Sequence, residues 1–173
     1  MVAQQNRSND NAKVIVFSDR HAMLAELNSN HRRLSDVIND PLHKLFHLEQ
    51  VKINSADRME ESVATYDKVV IKREAIQAIL VMSEPARPPQ QRISNYVPKQ
   101  STRIAALLPS FHIVGNIFLS GKLDPTEFVL DGLESFAVLS DATVTLTSRT
   151  GKQIKVPTAF INRAHIELAT VIQ

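Results

Sequence analysis

The chain of 173 residues contains no cysteine, and this absence excludes several kinds of chemistry. Without thiols the protein can form no disulfide, use no cysteine nucleophile and bind no zinc through sulfur. The sequence has no apolar run of about 18 residues, so it predicts no membrane-spanning helix. The polar stretch of residues 1–12 lacks the apolar core of a secretory signal, and we therefore expect a cytoplasmic protein.

Motifs of common enzyme classes are also absent. The sequence holds no G-x-S-x-G, no P-loop, no Rossmann glycine pattern and no H-E-x-x-H. No spacing groups a nucleophile with a base and an orienting residue. The formal net charge of +2 is too small to indicate a nucleic-acid partner by itself. We therefore expect a protein that is not an enzyme and that uses no cofactor, metal or small-molecule substrate.

What the sequence does contain is an internal repeat. Adding 91 to a residue number between positions 21 and 54 leads to a matching residue in the second half, without a gap. Identical residues occur at five such pairs: His21 and His112, Ser29 and Ser120, Asp40 and Asp131, Leu42 and Leu133, and Leu48 and Leu139. After one deletion the offset becomes 90, which aligns Arg73 with Arg163. A repeat of this kind makes each copy one structural unit.

The distribution of proline predicts the boundaries between these units. Residues 13–82 form module one, and residues 102–173 form module two. The segment 83–101 between them holds four of the eight prolines. Because proline fixes φ and removes a backbone donor, this segment is predicted to be an extended linker. Residues 1–12 are polar and are predicted to be a disordered arm.

Strand-like segments dominate both modules. Short apolar runs separated by turn residues recur through each copy, which favours an all-β barrel or sandwich. In segment 136–146 we predict two strands on either side of a turn at Ser140 and Asp141. All four glycines lie in module two. Because Leu24 aligns with Gly115, we expect a less sharply bent strand in module one.

One segment of each module has a helical spacing of apolar residues. In segments 34–48 and 125–139 they recur three and four positions apart. Pro41 suits the first turn of a helix that starts near Asn39 or Asp40. We therefore predict a short helical insertion at the same place in both modules.

The order of elements resembles that of the Sm-like small β barrel. In that family the chain closes with a short strand, a basic residue and a final strand, and segments 70–76 and 160–166 are similar to this close. The end of module one also resembles the bacterial Sm-like RNA chaperone. The resemblance implies a mainly β protein of two tandem small Sm-like β barrels, each with a short helical insertion. Segments 33–36 and 161–166 also resemble an uncharacterised family of small bacterial β domains, which implies no activity.

The cations near the end of each module are the main candidates for binding RNA or a partner. Arg73 and Arg163 could hold a phosphate or an acidic partner, or they could bond the carbonyl groups of a turn. Sm-like sites stack a base on a flat side chain beside a cation. Lys72 and Asn162 occupy the corresponding positions, and neither is aromatic.

The linker carries further cations, Arg87, Arg92 and Lys99. A basic segment of this kind can contact nucleic acid or an acidic protein, although a solvated spacer is the alternative that we favour.

Two sets of histidines could also carry chemistry. His43 and His47 are four apart on the predicted helix, but zinc would need further ligands, so we favour a solvated polar edge and predict no metal site. His21 and His112 align in the repeat and could form a pH-sensitive pair. We favour a structural role at strand ends for both.

These observations favour a non-enzymatic interaction or assembly module. Its exposed strand edges would pair with one another or with a protein partner, so self-association is expected. The alternative is an RNA-binding Sm-like regulator that uses Arg73, Arg163 and the linker cations. We expect no contact with a membrane.

Overall fold

A computed structural model of the chain describes residues 11–56, 58–84, 99–147 and 151–172. It contains ten antiparallel strands in one open sheet, together with two short α-helices. The prediction of a mainly β protein is therefore confirmed, but the strands form a single sheet rather than two closed barrels. Among the described residues, no helix is both long enough and apolar enough to cross a membrane.

The same succession of elements occurs twice along the chain. The first consists of β1 (Asn11–Phe17), β2 (His21–Asn28), α1 (Leu34–Asn39), β3 (Leu45–Ser55), β4 (Ser62–Lys72), a 3-10 turn (Arg73–Ala75) and β5 (Ala78–Ser83). The second consists of β6 (Gln100–Leu108), β7 (Phe111–Leu119), α2 (Pro125–Asp131), β8 (Phe136–Leu146), β9 (Gln153–Asn162), a 3-10 turn (Arg163–His165) and β10 (Leu168–Val171). Each module begins two residues earlier than predicted, so residues 11 and 12 belong to β1 and not to an arm. The rest of the predicted arm and most of the predicted linker, residues 85–98, lie outside the described residues.

Strand order is the same in both modules. Module one has the order β5-β1-β2-β3-β4, and module two has the order β10-β6-β7-β8-β9. The modules join where β5 pairs antiparallel with β9, with Ala78 opposite Ile161 and Val81 opposite Thr158. We call this contact the module junction. The combined sheet therefore begins at β10 and ends at β4, and its two edges belong to different modules.

Both modules also share a β-bulge in the third strand. Gln50 in β3 and Asp141 in β8 are 91 positions apart, and both have a φ of +49°. The register of β2 with β3 and that of β7 with β8 shift beside these residues. A bulge of this kind bends the strand and increases its twist. The predicted turn at Ser140 and Asp141 is therefore wrong, because β8 continues through both residues.

The helical insertions begin 91 positions apart, but they are shorter than predicted. α1 ends at Asn39, so Pro41 follows the helix instead of starting it. The apolar residues from Leu45 onward belong to β3, because pairing with two neighbouring strands stabilises the extended backbone. In module two Pro125 does occupy the first turn of α2. Asp124 caps that helix by accepting the backbone N–H groups of Thr126 and Glu127, at 2.8 and 3.0 Å.

Two clusters of buried apolar side chains lie against the sheet, and each includes residues of both modules. Core one lies mainly in module one and includes Phe136 and Phe160 from module two. Core two lies mainly in module two and includes Phe17 and Leu80 from module one. The rings of Phe17 and Phe111 are 5.2 Å apart across the modules. The modules are therefore packed together through buried surface.

Candidate interaction site: the module junction and the strand edges

Arg73 follows β4 directly, and its guanidinium is engaged inside the chain. It donates to three backbone carbonyls and one hydroxyl: those of His43 at 2.9 Å, Ile38 and Asp40 at 2.6 Å each, and Ser135 Oγ at 3.1 Å. It also lies 5.5 Å from the ring centroid of Phe46 and 5.8 Å from that of Phe136. Burial lowers the pKa of Arg73, although arginine stays charged at any physiological pH. The side chain thus links the end of α1 both to the end of β4 and to module two.

Arg163 occupies the equivalent position after β9. It donates to the backbone oxygens of Phe128, at 3.2 Å, and of Glu134. Its guanidinium lies 5.3 Å from the ring centroid of Phe128, and burial lowers its pKa as well. Each arginine therefore holds the helical insertion of its own module against the end of the fourth strand. Both arginines thus bond backbone carbonyls, which was the alternative to holding a phosphate or an acidic partner.

A cleft of about 980 Å³ at the module junction brings together three of the predicted binding residues, Lys72, Arg73 and Arg163. Three carboxylate residues line the same cleft: Glu74, Asp131 and Glu134. The ammonium of Lys72 lies 3.7 Å from the carboxylate of Glu74. Lys44 is a fourth cation in the lining. The cleft therefore has mixed charge, and it does not present the continuous array of cations that a phosphate backbone would need.

The remaining predicted binding residues are not placed at this cleft. Lys99 is exposed immediately before β6. Arg87 and Arg92 lie outside the described residues.

The structure separates the two histidines that were predicted to share a helix face. His43 lies in the turn after α1, with Nδ1 3.4 Å from Asp40 Oδ2, whereas His47 lies on β3. His21 is the first residue of β2, and its carbonyl accepts the backbone N–H of Ser18 at 2.9 Å. Within the ranges that the structure describes, no group of three or more histidine, aspartate or glutamate residues could hold a metal ion.

Polar side chains bond across the module junction, and sequence reasoning did not find their partners. Asn162 donates its side-chain amide to the carbonyl of Ile76 at 2.8 Å, and its backbone N–H to the carbonyl of Gln77 at 2.9 Å. Asn39 bonds both the N–H and the C=O of Phe136, at 2.9 and 3.3 Å. The only signal in the sequence was the repeat itself, which places Asn162 at the position of Lys72.

The two sheet edges are the other feature available to a partner. β4 is eleven residues long and exposes three large apolar side chains, Val63, Tyr66 and Val70. β10 is shorter and exposes Leu168 and Val171. Within the described part of the chain, each of these strands pairs on one side only. Such an edge presents backbone groups and apolar side chains to an incoming strand.

Comparison of the chain with protein-family models, with curated proteins and with solved structures found no match. The resemblances noted from the sequence stay predictions.

Proposed function

We propose that this protein is a non-enzymatic assembly module that binds other β-strands through its edges β4 and β10. The observation that carries the proposal is β4, a long edge strand with exposed apolar side chains. Strand addition provides affinity through main-chain hydrogen bonds, and the alternating side chains provide selectivity. The pairing of β5 with β9 gives an example of the same contact within the chain.

The composition of β4 supports a selective contact rather than general stickiness. Natural proteins protect exposed edges with lysine, proline or very short strands. β4 carries Lys68 among its apolar residues and ends at Lys72, and Lys68 lies 3.6 Å from Glu49 on β3. Such charges disfavour pairing with an arbitrary strand and allow pairing with an edge of matching charge.

We also propose that each module is one small unit of the Sm-like kind, because strand order, bulge position and helical insertion are the same in both. RNA binding is the second hypothesis. We favour it less because Arg73 and Arg163 donate to carbonyl groups of the chain, and because carboxylates line the cleft beside them.

A photo-crosslinking amino acid in place of Tyr66 tests the proposal in cells that make the protein. Tyr66 is exposed on β4, so the substitution should leave the fold intact. The matched control is the same replacement at Lys122, which is exposed in the loop after β7. We expect adducts at Tyr66 that map to a β-strand of the captured chain, and far fewer adducts at Lys122. Absence of a strand adduct at Tyr66 would contradict the proposal.

A further inference from the structure

We propose that the strand bound by β4 is β10 of a second copy of this chain, so that copies associate head to tail. This inference rests on the proposed function and names the partner. Within one chain, the fourth strand of module two already pairs with the fifth strand of module one, at the module junction. The fourth strand of module one and the fifth strand of module two are β4 and β10, the two edges. Pairing them between copies would repeat a contact that the chain already makes.

The side chains of the paired strands at the module junction are buried, whereas the equivalent side chains at the two edges are exposed. In the paired strand β5, residues 78–81 are at most 1% exposed, and in its partner β9, residues 159–161 are at most 2% exposed. At the equivalent edge positions, Leu168 is 49% exposed, Val171 is 41% exposed and Val70 is 53% exposed. At these three positions the repeat therefore keeps exposed apolar residues that a neighbouring strand would bury.

The offset of 90 between the modules predicts the register of this contact. Ala78 lies opposite Ile161, and Val81 lies opposite Thr158. Adding 90 to the residue numbers of β5 gives those of β10, and subtracting 90 from those of β9 gives those of β4. This places Leu168 opposite Ile71, and Val171 opposite Lys68, of the second copy.

The side chains of these strands also face in the required directions. Phe160 of β9 packs into core one of the neighbouring module, and Val70 is its equivalent on β4. Val70 would therefore pack against core two of the second copy. Val69 and Ile71, the alternate residues of β4, pack against core one of their own module.

Charge complementarity supports a second copy as the partner. At the module junction Asn162 donates its backbone N–H to Gln77, and both side chains are buried and neutral. The equivalent residues at the edges are Lys72 on β4 and Glu167 just before β10, both exposed and of opposite charge. In the predicted register they would face one another between copies. Opposite charges across paired strands are favourable, and like charges are unfavourable.

A contact between two different edges is heterologous. It produces a ring if the rotation between copies closes, and a filament if it does not. Light scattering distinguishes a fixed multiple of the 19.3 kDa chain from open-ended growth, and both outcomes contain the proposed pairing.

The first experiment measures self-association of the purified full chain by sedimentation velocity and light scattering over a range of concentrations. We expect the wild-type protein to be larger than one chain. We expect Val70→Asp to weaken association at least about tenfold, because pairing would bury a carboxylate without a partner. The matched control is Val63→Asp, an exposed position on the same strand but outside the predicted register, which should leave association unchanged. Thermal unfolding followed by circular dichroism checks that both variants fold.

The second experiment is a charge exchange that identifies the partner. Lys72→Glu and Glu167→Lys should each weaken association about fivefold, and the double variant should restore it. If Val70→Asp and Lys72→Glu weaken association but Glu167→Lys does not, β4 pairs with a different edge and the head-to-tail inference is wrong. A wild-type protein that stays monomeric at every concentration would also overturn the inference. Crosslinking at Tyr66 would then decide separately whether the proposed function survives.

Discussion

At position 24 module one has a leucine, whereas module two has a glycine at the equivalent position 115. A Cβ on Gly115 would lie 2.9 Å from Cβ of Leu139, which is closer than packed side chains approach. Leu24 occupies its position in module one with much of its side chain exposed. Nevertheless, both modules carry the same bulge beside this position, with a φ of +49° at Gln50 and at Asp141. The bulge therefore does not depend on the glycine, because module one forms the same bulge with a leucine at the equivalent position.

The helical insertions show a second difference between the modules. Asp124 caps α2 locally through two backbone N–H groups, whereas the residue before α1, Arg33, makes no side-chain cap bond. At the other end of the helices, Arg73 donates to three carbonyls around the end of α1, whereas Arg163 donates to two around the end of α2. Both insertions are thus held by an arginine, but α2 also has a local cap, and α1 depends more on its tertiary contact.

The largest expected effect on stability comes from removing these tertiary contacts. Arg73→Ala should lower the free energy of unfolding by about 3 kcal/mol, and Arg163→Ala by about 2 kcal/mol, because the carbonyls lose charge-assisted hydrogen bonds. Arg73 has the larger expected effect since it bonds four groups and contacts two rings. Urea denaturation measures both. Arg73→Lys is the control that keeps the charge but loses the forked geometry, and it should recover only part of the loss. Equal effects at the two sites would contradict the difference between modules.

The next largest effect is expected from substitutions at Gly115 and Leu24, the equivalent positions beside the bulge. Gly115→Ala should lower the free energy of unfolding by about 2 kcal/mol, since the added methyl group would overlap the side chains of Leu139 and Ala142. The matched change Leu24→Ala should lower it by less than about 1 kcal/mol, because Leu24 is partly exposed. Thermal unfolding of both variants tests this. A Gly115→Ala variant as stable as the wild type would show that the third strand can move.

A smaller effect of opposite sign is expected at the bulge residues themselves. Gln50→Gly should raise the free energy of unfolding by about 0.5 kcal/mol, because glycine adopts positive φ without steric cost. Asp141→Gly should change it less, since aspartate tolerates the left-handed region better than glutamine does. Gln50→Val is the opposing control, and it should destabilise the protein. Chemical denaturation of the three variants gives the order.

The smallest expected effect is pH dependence in module one. A hydrogen bond from Arg32 holds the pKa of Asp40 below its ordinary value of 3.8. A carboxyl with a lowered folded-state pKa stabilises the fold fully above pH 3.8, and this stability is lost as the pH falls through the folded-state pKa. Asp40→Asn should therefore be less stable than the wild type at pH 7, with a shallower loss of stability below pH 3.8. Unfolding curves from pH 7 to pH 2 measure the difference. Arg32→Ala should reproduce the shallower loss, and combining the two changes should add nothing further.

Several features of the fold were predictable because they depend on local sequence. Short apolar runs separated by turn residues predicted a mainly β chain, and the aligned segments predicted a helical insertion at the same place twice. The length of that insertion was wrong, because the residues from Leu45 onward satisfy a helical spacing and a strand spacing equally well. The turn at Ser140 and Asp141 was wrong for a related reason. Residues that favour turns also tolerate the positive φ of a bulge.

The candidate binding residues were predictable as a pair but not in their surroundings. The alignment of Arg73 with Arg163 marked two equivalent positions. Their carbonyl partners lie about 30 positions away in the chain, on the helices and in the turns that follow them, and backbone carbonyls carry no sequence signal.

The sequence by itself determined that one pattern of strands occurs twice, because burial on one face of a strand requires apolar residues at fixed spacing. Tertiary structure alone decided which copy of each strand is covered. β9 and β4 share a pattern, but β9 lies beside β5 and is largely buried near the module junction, whereas β4 forms an edge of the sheet. Strand pairing is made by backbone N–H and C=O groups, which are the same at almost every residue. The side chains therefore specify that a strand forms, and the packing of the two modules specifies which strands are left open to a partner.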